Sequence, residues 1–76
     1  MDLQTVIELA VMDALDGRPA TEGTLKSVRR VLESRLQPRL GRSLQRISVR
    51  SDGETVFVQL ELAEGPKVRS VRVSVG

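Results

Sequence analysis

The sequence predicts one α+β domain spanning residues 1–76, with two N-terminal helices packed on a three-stranded antiparallel β-meander. A chain of 76 residues has room for a single hydrophobic core. Apolar residues recur at helical spacing in the first half, and from Arg46 onward they alternate with a period of two. Helical segments followed by strand segments are typical of α+β architectures.

The first helix is predicted between Asp2 and Gly17. The Asp2 carboxylate can accept hydrogen bonds from the free amides of a first turn, and Gly17 can adopt the left-handed conformation that ends a helix. The apolar positions are Leu3, Val6, Ile7, Ala10, Ala14 and Leu15, widened by Val11 and Met12. Because this apolar surface is broader than one face, we expect the helix to contact more than its own small sheet.

The second helix is predicted to begin after Thr21, a second N-cap residue. Its apolar face consists of Leu25, Val28, Val31, Leu32 and Leu36. Pro38 is expected to stop or kink this helix, because proline lacks an amide donor and disfavours helical dihedral angles at the preceding residue. Leu40 and Leu44 then predict a short helical turn, interrupted by Gly41.

Asp52 and Gly53 form the sequence signal of a tight two-residue hairpin. With these two residues as the loop, the predicted pairs are Val49 with Val56 and Ile47 with Val58. A third strand is predicted from Val68 to Val75, after a connecting loop from Glu64 to Lys67. Its predicted pairs are Leu60 with Val71 and Val58 with Val73, with Val75 also facing inward. The expected core consists of Leu25, Val28, Leu32, Ile47, Val49, Val56, Val58, Leu60, Val71 and Val73.

The composition argues against catalysis. Cysteine and histidine are absent, which excludes disulfides, thiolate chemistry and zinc sites built from these ligands. No glycine-rich phosphate loop is present, and the acidic pairs Asp13/Asp16 and Glu61/Glu64 are interpreted as solvated surface. We therefore expect no catalytic residue, no metal, no cofactor and no small-molecule substrate, and the protein is predicted not to be an enzyme.

Charge is unevenly distributed along the chain. Residues 1–25 contain five acidic side chains and one basic one, whereas residues 26–50 contain eight basic side chains and one acidic one. The candidate partner-binding residues in the basic segment are Arg35, Arg39, Arg42 and Arg46. Their spacing of i, i+4, i+7 and i+11 would align them in a stripe on a continuous helix, or gather them into a cluster at a bend. Guanidinium groups bind carboxylates or phosphates in a bidentate manner, so an acidic protein, a nucleic acid or bulk solvent could each face them.

Phe57 is the only aromatic residue. It lies on the middle strand, on the face opposite the predicted core, where it is either a lone exposed apolar residue or an anchor for a partner. A single aromatic residue does not provide the stacking platform of a single-strand nucleic-acid binder.

Two functions follow from these features. The first is a non-enzymatic structural or assembly subunit of a larger particle, which docks on protein subunits in a homo- or hetero-oligomer through the arginines and the broad apolar helix. The alternative is a winged-helix-like DNA-binding protein, with a short third helix around residues 39–46 and the Asp52-Gly53 hairpin as its wing. No apolar run is long enough for a membrane span and no signal peptide is visible, so we expect no membrane partner and a cytoplasmic origin.

Residues 31–62 also carry a family resemblance. The segments Val31 to Leu40, Leu44 to Val49 and Val56 to Leu60 resemble the C-terminal half of the small baseplate wedge proteins of contractile bacteriophage tails. In that family a helix leads through a Glu-Pro-Arg motif into an antiparallel hairpin, and Pro38 and Arg39 match the motif while Gln37 stands in place of the glutamate. The resemblance implies a non-catalytic viral structural protein located in the virion, in the tail, baseplate or neck.

Overall fold

Two helices precede a three-stranded antiparallel sheet, as the sequence predicts. The computed structural model describes residues 2–64 and 68–75. The helices are α1 (Leu3–Leu15) and α2 (Glu22–Leu40), and a 3-10 turn (Gly41–Ser43) follows them. The strands are β1 (Leu44–Asp52), β2 (Thr55–Leu62) and β3 (Val68–Ser74), which lie in the order β1-β2-β3. The predicted Glu64–Lys67 loop falls largely on residues 65–67, outside the described residues.

Both predicted N-caps are confirmed. The backbone N–H of Thr5 donates to Asp2 Oδ1 at 2.8 Å at the start of α1. At the start of α2, Thr21 and Thr24 form a reciprocal capping box, each side chain accepting from the backbone N–H of the other. These bonds satisfy amides that have no acceptor inside the helix.

The C-terminus of α1 is held by a residue that sequence analysis did not identify. Asp16 and Gly17 both have positive φ, 49° and 76°, and they turn the chain out of the helix. The guanidinium of Arg18 then donates to the carbonyl oxygens of Ala14 and Leu15, at 2.6 and 2.9 Å. Arg18 therefore satisfies two of the carbonyls left without intrahelical donors and places a cation at the negative end of the helix.

Pro38 does not stop α2, contrary to one of the two outcomes predicted for it. The helix continues to Leu40, and the amide of Gly41 donates to the carbonyl of Gln37 at the cap. Because Pro38 lies in the last turn, its missing N–H removes a single intrahelical hydrogen bond. The predicted helical turn around Leu40 to Leu44 is reduced to the 3-10 turn, after which β1 begins.

The predicted strand pairs are wrong by two residues, although each residue faces the predicted side. Val49 pairs with Val58 and Ile47 pairs with Leu60 in the first hairpin. Val58 pairs with Val71 and Val56 pairs with Val73 in the second. A shift of two residues keeps every side chain on its face, so hydrophobic alternation cannot distinguish the two registers.

The turn sets the observed register. Asp52 pairs with Thr55, so the loop is Gly53-Glu54 and not Asp52-Gly53. Gly53 has φ of 62°, and the described residues place no positive φ at Glu54. A positive φ at the first central position alone is the pattern of a type II′ turn, for which glycine at that position is the requirement.

The core forms between the helices and one face of the sheet. Eight of its ten predicted residues are buried, and the other two, Leu25 and Val49, are partly buried against it. The helices add Ile7, Ala10, Val11, Ala14, Leu15 and Leu36. A bulge between Leu44 and Arg46 shifts the register of β1, so that Leu44 lies opposite Leu62 and both pack against the core.

Candidate functional site

No described element covers the second face of the sheet, and four cross-strand rows of side chains lie on it. The rows are Arg46–Glu61–Val68, Ser48–Gln59–Ser70, Arg50–Phe57–Arg72 and Asp52–Thr55–Ser74. Ten of these twelve residues are exposed, and Phe57 and Thr55 are partly exposed. We call this surface the open sheet face.

Phe57 lies at the middle of the third row, between two arginines. The Arg50 guanidinium lies over the Phe57 ring, 5.3 Å from its centroid, in a cation–π contact. Arg72 is the cross-strand neighbour of Phe57 on the other side. The two ion pairs found among the described residues involve neither arginine. The row therefore combines an aromatic surface with two cations whose charge is not neutralised by a carboxylate within those residues.

Arg35 forms an ion pair with α1 of the same chain. One of its terminal nitrogens donates to Asp13 Oδ2 at 2.8 Å, which links α2 to α1. Both side chains are about half exposed, so the pair lies at the surface. Arg35 is therefore in part an intramolecular partner of the acidic N-terminal segment.

Arg39 affects the pKa of a carboxylate at the N-terminal end of α1. The pKa of Asp2 lies below its usual value, mainly because the carboxylate accepts hydrogen bonds from Thr5, and the positive charge of Arg39 lowers it further. Arg35 thus bonds to a carboxylate near the C-terminus of α1, and the charge of Arg39 acts on the carboxylate of the N-cap residue Asp2.

Arg42 and Arg46 lie beyond the helix. Arg42 is exposed in the 3-10 turn, and Arg46 is exposed on β1 directly after the bulge. The four candidate arginines therefore belong to three successive elements, and the stripe expected on a continuous helix ends at Arg39.

A groove between α2 and β1 brings Arg46 close to residues that the sequence left outside the candidate set. The residues that line this cavity of about 320 Å³ include Glu22, Lys26 and Arg29 of α2 together with Arg46. Arg29 also forms an ion pair with Glu33 at 3.4 Å. The spacing of residues along the chain could not predict this groove, because the groove forms only when a particular strand packs against α2.

The outward side of α1 carries a second exposed apolar feature. Leu9 and Met12 are 43% and 56% exposed, and their i, i+3 spacing places them side by side. We call this surface, with the flanking carboxylates of Glu8 and Asp16, the outer face of α1. The sequence identified Met12 as part of a broad apolar surface but did not single out Leu9, because hydropathy alone does not distinguish the inward from the outward residues of a wide stripe.

Comparisons with known proteins found no relative of this chain. No protein family, curated protein or solved structure matches the chain. Among the described residues no helix is long and apolar enough to cross a membrane, and no group of three acidic side chains is placed to hold a metal ion.

Proposed function

We propose that this chain is a non-enzymatic assembly subunit that docks on other protein subunits of a larger particle. The observation that supports this function best is the Arg50–Phe57–Arg72 row on a sheet face that the helices leave uncovered. Aromatic residues and arginine are enriched in protein interfaces, and central aromatic anchors carry much of the binding energy there. The exposed pair Leu9 and Met12 supplies a second contact surface on α1.

The particle that we propose is a bacteriophage virion, with the chain in its tail, baseplate or neck. This assignment rests on the resemblance of residues 31–62 to small baseplate wedge proteins. In the fold, that segment runs from α2 through Pro38 and Arg39 into the β1–β2 hairpin, which is the order of elements that the resemblance implies. The subunit would be made in the host cytoplasm and would remain there if it does not enter a virion.

The winged-helix alternative has less support. A DNA-reading helix would have to lie around residues 39–46, where the structure has the end of α2, a three-residue 3-10 turn and the start of β1. A recognition helix needs several side chains presented together into the major groove. The hairpin tip carries Asp52 and Glu54, whose charges would oppose DNA phosphates.

Light scattering on the purified chain, alone and with the products of neighbouring genes, tests the proposed function. We expect the mass to exceed the 8.4 kDa of one chain when a partner is present. The double variant Arg39→Ala, Arg42→Ala should weaken this assembly while the far-UV circular dichroism stays nearly unchanged. The matched control, Arg30→Ala with Arg69→Ala, removes the same charge from exposed positions of α2 and β3 and should assemble normally.

Two results would contradict the proposal. One is a chain that stays at 8.4 kDa with every neighbouring gene product. The other is tight binding to duplex DNA with an affinity that falls steeply as salt rises, which is the behaviour of a protein that neutralises several phosphates.

A further inference from the structure

The outer face of α1 is acidic as well as apolar. No lysine or arginine occurs before Arg18, so α1 carries only negative side-chain charges. Asp13 is engaged by Arg35, whereas no ion pair forms at Glu8 or Asp16 within the described residues. Leu9 and Met12 therefore lie between two carboxylates outside these ion pairs, of which Glu8 accepts a hydrogen bond from Gln4 Nε2 at 3.2 Å.

The open sheet face has the complementary pattern. Its apolar centre is Phe57, which Arg50 and Arg72 flank in the same row. The outer rows carry Arg46 and the carboxylates of Glu61 and Asp52, so the face holds three cations and two anions. The neighbouring row is polar and uncharged, with Gln59 between Ser48 and Ser70. Thus one surface of the molecule has apolar residues flanked by carboxylates, and another has an aromatic residue flanked by guanidinium groups.

The two surfaces also match in length. The 13 residues of α1 span about 20 Å at 1.5 Å per residue. The open sheet face runs from Arg46 to Asp52 along β1, which is also about 20 Å at 3.3–3.4 Å per residue. A helix laid along the strands would contact all four rows and add a third layer to the domain.

We propose that the open sheet face of one copy binds the outer face of α1 of a second copy. Leu9 and Met12 pack beside Phe57, Glu8 lies near the Arg50–Phe57–Arg72 row, and Asp16, about 12 Å farther along the helix axis, lies near Arg46. This inference rests on the proposed function and names the partner for one of its surfaces. Because the contact joins two different surfaces, each copy keeps one free face, and the chain assembles head to tail into a ring or a filament.

Two variants with one disabled face each test this arrangement by sedimentation velocity. The helix-face variant is Leu9→Gln with Met12→Gln, and the sheet-face variant is Arg50→Glu with Arg72→Glu. The glutamines are neutral, so the two disabled faces do not attract each other in a mixture. All four positions are exposed, so we expect both variants to fold, which circular dichroism checks. Arg30→Glu with Arg69→Glu is the matched control, since it reverses two exposed charges outside both faces.

The unmodified chain and the control should grow in mass with concentration. Each face variant alone should remain at the 8.4 kDa of one chain. An equimolar mixture of the two variants should form one new species of twice that mass and nothing larger, because one intact helix face meets one intact sheet face. This restoration by mixing cannot come from a symmetric dimer contact, in which both partners use the same surface.

Three outcomes would overturn the inference. The first is a mixture that stays monomeric. The second is a face variant that self-associates as the unmodified chain does. The third combines two results: the unmodified chain keeps one mass at all concentrations, and it binds a single-stranded oligonucleotide that the sheet-face variant does not bind. That combination would assign the open sheet face to nucleic acid. If the chain is monomeric alone but joins neighbouring gene products, the inference fails and the proposed function stands.

Discussion

The guanidinium of Arg35 donates to the carboxylate of Asp13 at 2.8 Å, which joins two residues 22 positions apart on different helices. This bond connects the acidic N-terminal segment to the basic segment of the same molecule. Part of the charge asymmetry in the sequence is therefore compensated within one chain. Arg50 and Arg72 on the sheet are not compensated by an ion pair within the described residues, which is why we place the partner there.

A double-mutant cycle measures the strength of this pair. The variants Asp13→Asn, Arg35→Gln and their combination should give a coupling free energy of about 0.2–1 kcal/mol, because both side chains are about half exposed and solvent screens them. Urea unfolding at low and high salt provides the measurement, and the coupling should shrink as salt rises. A coupling that does not change with salt would show that the two residues interact through packing and not through charge.

The hairpin turn should not tolerate a side chain at Gly53. Its φ of 62° is strained for any other residue, so Gly53→Ala should lower the free energy of unfolding by about 1–2 kcal/mol. Apart from the neighbouring residues in the chain, no described atom lies within 4 Å of an added Cβ, so the expected loss comes from backbone strain. Gly23→Ala is the matched control: it lies in α2 without positive φ and with equal space, and it should stabilise by about 0.4–1 kcal/mol. Equal effects at the two glycines would contradict the assigned turn.

Replacing Pro38 should stabilise the protein. Alanine restores the amide that can donate to the carbonyl one turn earlier, and a proline inside a helix costs up to about 3 kcal/mol relative to alanine. Because Pro38 lies in the last turn, we expect Pro38→Ala to raise the free energy of unfolding by about 1–2 kcal/mol. Chemical denaturation measures the change. A lower stability would mean that the proline fixes the exit from α2 into β1.

The cap at Asp2 should make stability depend on pH. Hydrogen bonds from Thr5 and the charge of Arg39 lower the pKa of Asp2 in the folded chain. The charged carboxylate therefore stabilises the fold fully above the pKa of the unfolded chain, and this contribution disappears as pH falls through the lower folded value. Thermal unfolding of the wild type and Asp2→Asn should differ at about pH 7 and converge near about pH 2. A difference that is constant across this range would assign the effect to the hydrogen bond alone.

Most of the fold could be predicted because its signals are local. Asp2 and Thr21 are N-caps because of their side-chain chemistry, and alternation from Ile47 onward assigns the inward face of each strand. The register of the hairpins could not be predicted, because a displacement of two residues leaves that alternation intact. It depends on whether Gly53 is the first or the second residue of the turn, and the neighbouring Asp52 favoured the wrong choice.

The candidate site was harder to predict for a related reason. The sequence identified Phe57 as facing away from the core, which the structure places on the open sheet face. Arg50 and Arg72 flank it only because of the pairing of three strands, so neither could be selected from spacing along the chain. Conversely, Arg35 and Arg39 have regular helical spacing, but their relation to α1 depends on how the two helices pack.

The elements that contact one another in this fold determine how fast the chain folds. Each strand pairs with the next one along the chain, and the two helices that pack together are also consecutive. The contacts of α1 with β3 join opposite ends of the chain, so we expect a folding time between the microseconds to milliseconds of helical bundles and the milliseconds to seconds of all-β domains. We therefore expect the subunit to reach its native state far faster than ribosomes complete a chain of this length, so that newly made copies are ready to associate on release.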